Sequence, residues 1–234
     1  MQRYFTKNSD LSLEKNDIHH IKNVMRMKIG DEIEIVYDTC VYLCKLVNIE
    51  PLEISVIKEL DENNELDVDI TIAIGLVSEQ KMDLILQKLT ELGIKKIIPL
   101  KLERSIVRLD NNRVDKKILR WQNICKEASE QSHRNIIPEI TRPIDLKQLV
   151  KIDYDIKLVA STKEKEKFIN SYLQNNTKYA KIIIVIGPEG GITDNEEDYL
   201  NKNGFKSVTL GSRILRVETA AIYVASILNY QYMR

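Results

Sequence analysis

Apolar residues fall along this chain in two different rhythms, and the change comes near residue 65. Before it, three short runs, "EIEIVYD", "VYLCKLVNI" and "LEISVIKEL", are broken by Asp38-Thr39 and by Glu50-Pro51. Consecutive short strands with tight breaks predict a small antiparallel sheet or barrel. The preceding stretch "SLEKNDIHHIKNVMRMKIGD" can form one short helix that stops near Gly30. "DENNEL" (Asp61 to Leu66) is polar until Leu66 and is the expected linker. The division expected is therefore a small domain over 1–65 and a larger one over 66–234.

Beyond the linker, strand and helix patterns alternate. "ITIAIGLV" reads as a strand, and "SEQKMDLILQKLTELG" as a helix with Met82, Ile85, Leu86 and Leu89 on one face and Gly93 as its stop. "IKKIIPLKL" is extended again, a long helix covers "KKILRWQNICKEASEQ", and the strand "IKLVAS" follows. A charged helix is expected next, leading into "AKIIIVIG". Such β-α-β alternation predicts an α/β fold, a mainly parallel sheet with helices on both faces. The unbroken β-branched run Ile182 to Ile186 suits a central strand.

That strand runs into "GPEGGITDNEE", where Gly187, Gly190 and Gly191 fall within five positions of a chain holding only eight glycines. A buried strand, a glycine turn and then a helix make the usual ligand position in an open α/β sheet. Thr193 and Glu196 have capping-box spacing, so the helix should start just after the turn. The loop lacks the Lys-Ser/Thr pair of a phosphate-binding P-loop and the GxGxxG spacing of a dinucleotide fold. Glu189 would also repel a phosphate. A ligand with hydroxyls, an adenine edge or a positive charge fits better; a plain structural turn is the bland alternative. "FKSVTLGSRILRVETAAIYVASIL" repeats the arrangement, with Arg213, Arg216 and Glu218 in or beside its loop. Its helix should bury Val217, Ala221, Val224 and Leu228. Two arginines at a strand end, opposite the glycine loop, are candidates for holding an anionic substrate.

Composition narrows the class only a little. The chain has 234 residues, 43% hydrophobic and 30% charged, as in ordinary globular proteins. No apolar run approaches the roughly 18 residues that span a bilayer. "MQRYFTKNSD" lacks the apolar core of a signal peptide, so a cytoplasmic location is expected. The 35 basic and 35 acidic residues cancel, which leaves a nucleic-acid partner open because binding depends on clustering. Cys40, Cys44 and Cys125 form no CxxC pair and read as small core hydrophobes, with no metal site expected. His19 and His20 are adjacent, at no metal-ligand spacing.

"IGPEGG" followed about twenty residues later by "LGSRILRVETA" resembles the paired signature of the RsmE family. These are SPOUT-class methyltransferases that modify uridine N3 in 16S ribosomal RNA with S-adenosylmethionine. "RYF", "HHIKNVMRMKIGDEI", "QKLTELGIKKIIPL", "RW" and "EASEQSHRNIIPEI" match in the same order, so the resemblance covers nearly the whole chain. It implies a PUA-like RNA-binding β-barrel, then a SPOUT domain ending in a deep trefoil knot, and a homodimer paired through the knotted domain. Ser212 departs from the proline expected in many relatives.

By the same resemblance the cofactor would be held by Val159, Ala160, Ser161 and Thr162 at one strand end, by Ile186, Gly187, Pro188, Glu189, Gly190 and Gly191 at the next, and by Leu210, Gly211, Ser212, Ile214, Leu215, Arg216, Thr219 and Ala220 in the last loop and helix. Methyl transfer from a sulfonium is an in-line displacement, and uracil N3 must lose its proton. Positive groups near the carbonyl oxygens would stabilise the developing anion. Arg216 is the first candidate for that role, with Glu218 as a general base or as its orienter. Basic groups expected to meet RNA are Arg3, Lys22, Arg26 and Lys28 in the first domain. In the second they are Arg104, Arg108 and Arg113, the trio Gln131, His133 and Arg134, and Arg213. The alternatives are a SPOUT enzyme acting on ribose 2′-OH and a non-catalytic RNA-binding protein with a degenerate knot.

Overall fold

The structure is a computed structural model that describes residues 1–107, 111–173 and 180–233. It separates into two compact units, Met1–Glu65 with Lys126–Ile136, and Leu66–Cys125 with Ile137–Arg234.

The first unit is built on β1 (Gln2–Phe5), β2 (Glu32–Tyr37), β3 (Cys40–Ile49) and β4 (Leu52–Leu60), hydrogen-bonded in that order. The last three are antiparallel, as their alternating pattern predicts. The four-residue β1 is too short to show a period, and it lies parallel to β2 with Arg3 opposite Glu34. Among the described residues no pairing closes β4 onto β1, so the expected barrel is a four-stranded mixed sheet. Tyr4, Ile21, Ile33, Ile35, Cys44 and Leu46 form its core. Burial pushes the Cys44 thiol up to about 11, which keeps it an inert core group. The helix expected to reach Gly30 is shorter. It is α1 (Lys15–His19) continued by a π-helical turn over His20–Val24. Arg26 then takes φ +52°, which a continuing helix does not permit.

The second unit holds β5 (Asp69–Gly75), α2 (Glu79–Glu91), β6 (Lys96–Leu100), most of α3 (Asn111–Gln131), β7 (Glu139–Ile140), α4 (Leu146–Leu149), β8 (Ile156–Ala160), β9 (Lys181–Ile186), α5 (Asp194–Lys202), β10 (Lys206–Val208) and α6 (Val217–Tyr232). Its six strands are ordered β10-β8-β9-β5-β6-β7, with every pair parallel. Ile182 and Ile184 of β9 join one apolar cluster with residues of α2 and α6, while Ile183 and Val185 join another with residues of α4 and α5. Successive strand residues point to opposite faces, so both faces of the sheet are covered. At roughly 1.5–3 kcal/mol for each fully buried aliphatic side chain, this one strand is a large part of the core. Met82, Ile85, Leu86 and Leu89 of α2 are buried as the periodicity predicts. So are Val217, Ala221, Val224 and Leu228 of α6, which packs against α2 and β9.

The charged helix expected between β8 and β9 is not found over 161–173, and the rest of that stretch, 174–179, lies outside the described residues. No α-helix forms in residues 161–173; there is only a 3-10 turn at Ile169–Tyr172. The segment instead runs beside the edge strand β10. Lys167 O accepts from Thr209 N at 2.8 Å, and Phe168 bridges Thr209. Lysine and glutamate favour helix, but a helix this short gains little by itself, and backbone pairing at the sheet edge competes with it. Among the described residues, no helix is long and apolar enough to cross a membrane.

Candidate active site

The loops that leave β8, β9 and β10 line one cavity of about 510 Å³. That is a usual size for a small-ligand site, and the carboxyl ends of parallel strands are its usual place. Ala160, Ser161 and Thr162 come from the first loop, residues 186–192 from the second, and residues 210–217 with Ala220 from the third. Val159 does not reach the cavity. It is fully buried in the apolar cluster on the α4 and α5 face, one position too early on the strand. Thr219 is exposed on α6 and also lies off the lining.

The glycines of the second loop are there for different reasons. A Cβ on Gly190 would lie 2.9 Å from the Arg104 Cβ, so the loop after β6 packs directly against it. Arg104 Nη1 also donates to Gly190 O at 3.1 Å. Gly191 sits at φ +73°, and its N–H donates to Pro188 O at 2.8 Å, closing the turn. Thr193 and Glu196 then form the predicted capping box at the start of α5. Beneath the loop, a Cβ on Gly75 would meet Pro188 Cδ at 2.6 Å.

The acid in this loop has a partner that the sequence reading missed. Lys81, in the first turn of α2, places Nζ 3.1 Å from Glu189 Oε1 and 3.9 Å from Glu218 Oε2. Lys81 and Glu189 line the cavity and Glu218 does not. Glu218 Oε2 is buried and has no hydrogen-bond partner among the described residues. Glu218 therefore lies beside Lys81, and among the described residues no ion pair joins it to Arg216, which does not support the alternative in which it orients that arginine. Arg216 stands at the N-cap position of α6 without a side-chain capping bond, and it is exposed on the cavity wall with Arg213. Neither arginine forms an ion pair among the described residues. Lys163, Lys165, Ile192, Glu197 and Val217 complete the lining and were not foreseen. Lys165 Nζ donates to Thr162 O at 2.7 Å, and Lys163 pairs with Asp194.

In the first unit several expected RNA contacts turn out to be internal. The Arg3 side chain is 0% exposed, with Nε 2.8 Å from Glu34 Oε2 and Nη2 2.8 Å from Glu62 Oε1. Its Nη1 donates to the carbonyls of His133 and Arg134. Arg134 is buried too, held by Glu65 at 2.5 Å. These two arginines are corrected from RNA contacts to ties within the unit, because a buried guanidinium with carboxylates on its donors has nothing left for a phosphate. His133 Nδ1 lies 3.1 Å from Glu34 and is half-buried. The "DENNEL" stretch is no loose linker either, since Glu62 and Glu65 are partners in these ties. Lys22 is paired loosely with Glu50 at 3.6 Å. Arg26, Lys28 and Gln131 remain exposed, with Val24, Met25 and Ile29 exposed around Arg26. Arg108 and the side chain of Arg113 lie outside the described residues.

A cavity with apolar walls from Ile186, Leu210, Ile214 and Leu215, bare backbone from the glycine turn, and carboxylates at Glu189 and Glu197 among six basic side chains suits an aromatic nucleoside whose remaining groups carry charges of both signs. A parallel α/β sheet carrying such a site, preceded in the sequence by a small β unit, defines the class: residues 64–229 match the RNA methyltransferase domain family, and residues 13–59 match the RNA methyltransferase PUA domain. The chain is 38% identical to ribosomal RNA small subunit methyltransferase E of Bacillus subtilis, over 99% of this chain and 97% of that one. Its namesake in Mesomycoplasma hyopneumoniae is 36% identical over 88% of each chain. The crystal structure of ribosomal RNA small subunit methyltransferase E from Neisseria gonorrhoeae bound to S-adenosyl methionine superposes with a TM-score of 0.88, at 31% identity, over 99% of this chain and 98% of that one. The chain belongs to the ribosomal RNA small subunit methyltransferase E family.

Proposed function

We propose that this protein transfers a methyl group from S-adenosylmethionine to N3 of one particular uridine in the 16S rRNA of the small ribosomal subunit. The observation that carries the reading is the cavity itself. Three strand-end loops line it, one carboxylate, Glu189, and no P-loop lysine stand in the glycine turn, and two arginines with no ion pair among the described residues stand on its wall. When bound, the cofactor supplies an electrophilic methyl on a sulfonium. Residues 160–162, 186–191, 210–212, 214–216 and Ala220 would hold it, with the adenine among the apolar side chains and the ribose against the turn. Exclusion of water and alignment of the acceptor are the protein's share of the catalysis. Arg216 is the group assigned to stabilise negative charge on the uracil carbonyls as N3 loses its proton. Arg213 and Arg104 would meet RNA at the cavity, and Lys22, Arg26, Lys28 and Gln131 would do so in the first unit.

The same reading assigns a trefoil knot to the second unit. Its support is the strand order: β10 lies at one edge of the sheet, yet α6, which follows it, packs on α2 and β9 nearer the middle. A homodimer and a cytoplasmic location belong to the reading too.

The test is methyl transfer from labelled S-adenosylmethionine to small ribosomal subunits lacking the modification, followed by nucleoside analysis. Label in 3-methyluridine is expected. Label in 2′-O-methyluridine would move the activity to the ribose, and absence of both transfer and cofactor binding would leave only an RNA-binding protein.

A further inference from the structure

We propose that Lys81 is a positioning residue of the methyl-transfer site, tying the carboxylate of the glycine loop to that of the last helix so that the two cofactor loops keep a fixed spacing. The inference rests on the methyl-transfer reading and adds a residue to it.

Three observations support it independently. Lys81 lies 108 positions before Glu189, yet its Nζ approaches Glu189 at 3.1 Å and Glu218 at 3.9 Å. One ammonium thus reaches both loops. The second distance is too long for a hydrogen bond, and Glu218 Oε2 finds no other partner among the described residues although it is buried. Without Lys81, that carboxylate would sit desolvated beside Glu189 with nothing to offset the repulsion. Lys81 also stands in the first turn of α2, after Ser78 at the N-cap. A cation there opposes the helix dipole, so its presence is better explained by the two acids than by helix stability. Finally, α2 is a rigid mount. It follows β5, which pairs with β9 along its length, and Gly75 at the end of β5 touches Pro188 of the loop that Lys81 holds.

Lys81 is about one-third exposed, so its replacement should not unfold the protein. Calorimetry with S-adenosylmethionine is the direct measurement, with thermal melting of the cofactor-free protein as control. Lys81→Met is expected to weaken cofactor binding about ten-fold, a change of ~1.4 kcal/mol, and to lower the melting temperature slightly as the two carboxylates lose their common cation. Lys81→Arg should keep most of the affinity. Glu189→Gln should cost about as much as Lys81→Met, and the double variant no more than either alone, since they act as one unit.

Wild-type affinity in Lys81→Met would overturn the proposal. Losses that multiply in the double variant would also overturn it, by making Lys81 a direct ligand of the cofactor. If Lys81→Met lowers the melting temperature and Lys81→Arg restores melting but not binding, the positioning role is likewise refuted. Failure of the wild-type protein to bind S-adenosylmethionine would instead strike the functional reading itself.

Discussion

A methyl group on Gly75 would lie 2.6 Å from Pro188 Cδ and from its backbone nitrogen, well inside van der Waals contact. β5 is held between β6 and β9 and cannot retreat. Gly75→Ala should therefore destabilise the protein by about 1–3 kcal/mol, as overpacking does, and displace the glycine loop. Urea unfolding and cofactor titration would both register it. At the same scale, Arg216→Ala should leave S-adenosylmethionine affinity within a few-fold and remove most of the turnover, because the guanidinium is assigned to the developing anion. A large loss of cofactor binding would give the side chain, and not the backbone of residue 216 alone, the role of holding the cofactor, and would remove it from the developing anion. The clustering of Gly187, Gly190 and Gly191 announced a ligand loop in the sequence, and the absence of a P-loop lysine steered the ligand away from phosphate. Why the glycines are there was not legible. Gly190 yields to Arg104, 86 positions away, and no local pattern encodes such a contact. Lys81 left only a faint signal, a cation in a helix's first turn.

Elements with a strong period were readable: α2, α6 and the doubly buried β9 fall where the apolar spacing puts them, and the capping box marked the start of α5. Short elements set by their partners were not. β1 exists because β2 offers a free edge, and Lys167 and Phe168 pair with Thr209 because the β10 edge is free. The last turns of α3 show the same dependence, since Lys126–Ile136 cluster with the first unit rather than the second. There Lys126 Nζ holds Asp17 of α1 at 2.6 Å and lies 3.6 Å from Glu130 Oε1. Burial, reinforced by Asp17 and opposed by Lys126, pushes the Glu130 carboxyl up to about 7 from 4.5. The folded unit thus binds this proton more tightly than the unfolded chain does. Its contribution to stability is complete below about pH 4.5 and is lost as pH rises through 7. Glu130→Gln should flatten that decline and leave the protein more stable than wild type at pH 8, by on the order of 1–3 kcal/mol. Denaturant melts at pH 5 and pH 8 give the comparison, and equal pH slopes for variant and wild type would contradict it.

At the scale of the whole molecule, one face of α6 has no partner among the described residues. Thr219, Tyr223, Ser226 and Tyr230 follow the 4, 3, 4 spacing of a single stripe and are all exposed, Tyr230 by 75%. α2, against which α6 packs, adds Leu84 at 40% exposure. Tyrosine is enriched where protein surfaces meet because it buries a large ring and keeps a polar tip. The opposite stripe of α6 is sealed by Ala221, Val224, Ala225 and Leu228, so the exposed tyrosines serve no internal packing. A second copy of the chain is the occupant expected from the family resemblance, and a symmetric pair would place α6 against its own counterpart. Light scattering after gel filtration should give twice the 27.2 kDa chain mass for the wild type. Tyr223→Glu combined with Tyr230→Glu should shift it to the single chain mass without altering the fold, since both sites face solvent in one chain. Because the stripe begins at Thr219, three residues after Arg216, separation should also loosen the start of α6 and lower cofactor affinity. A variant that stays dimeric would place the interface elsewhere. One that becomes monomeric with full cofactor affinity would show that each cavity is complete within a single chain.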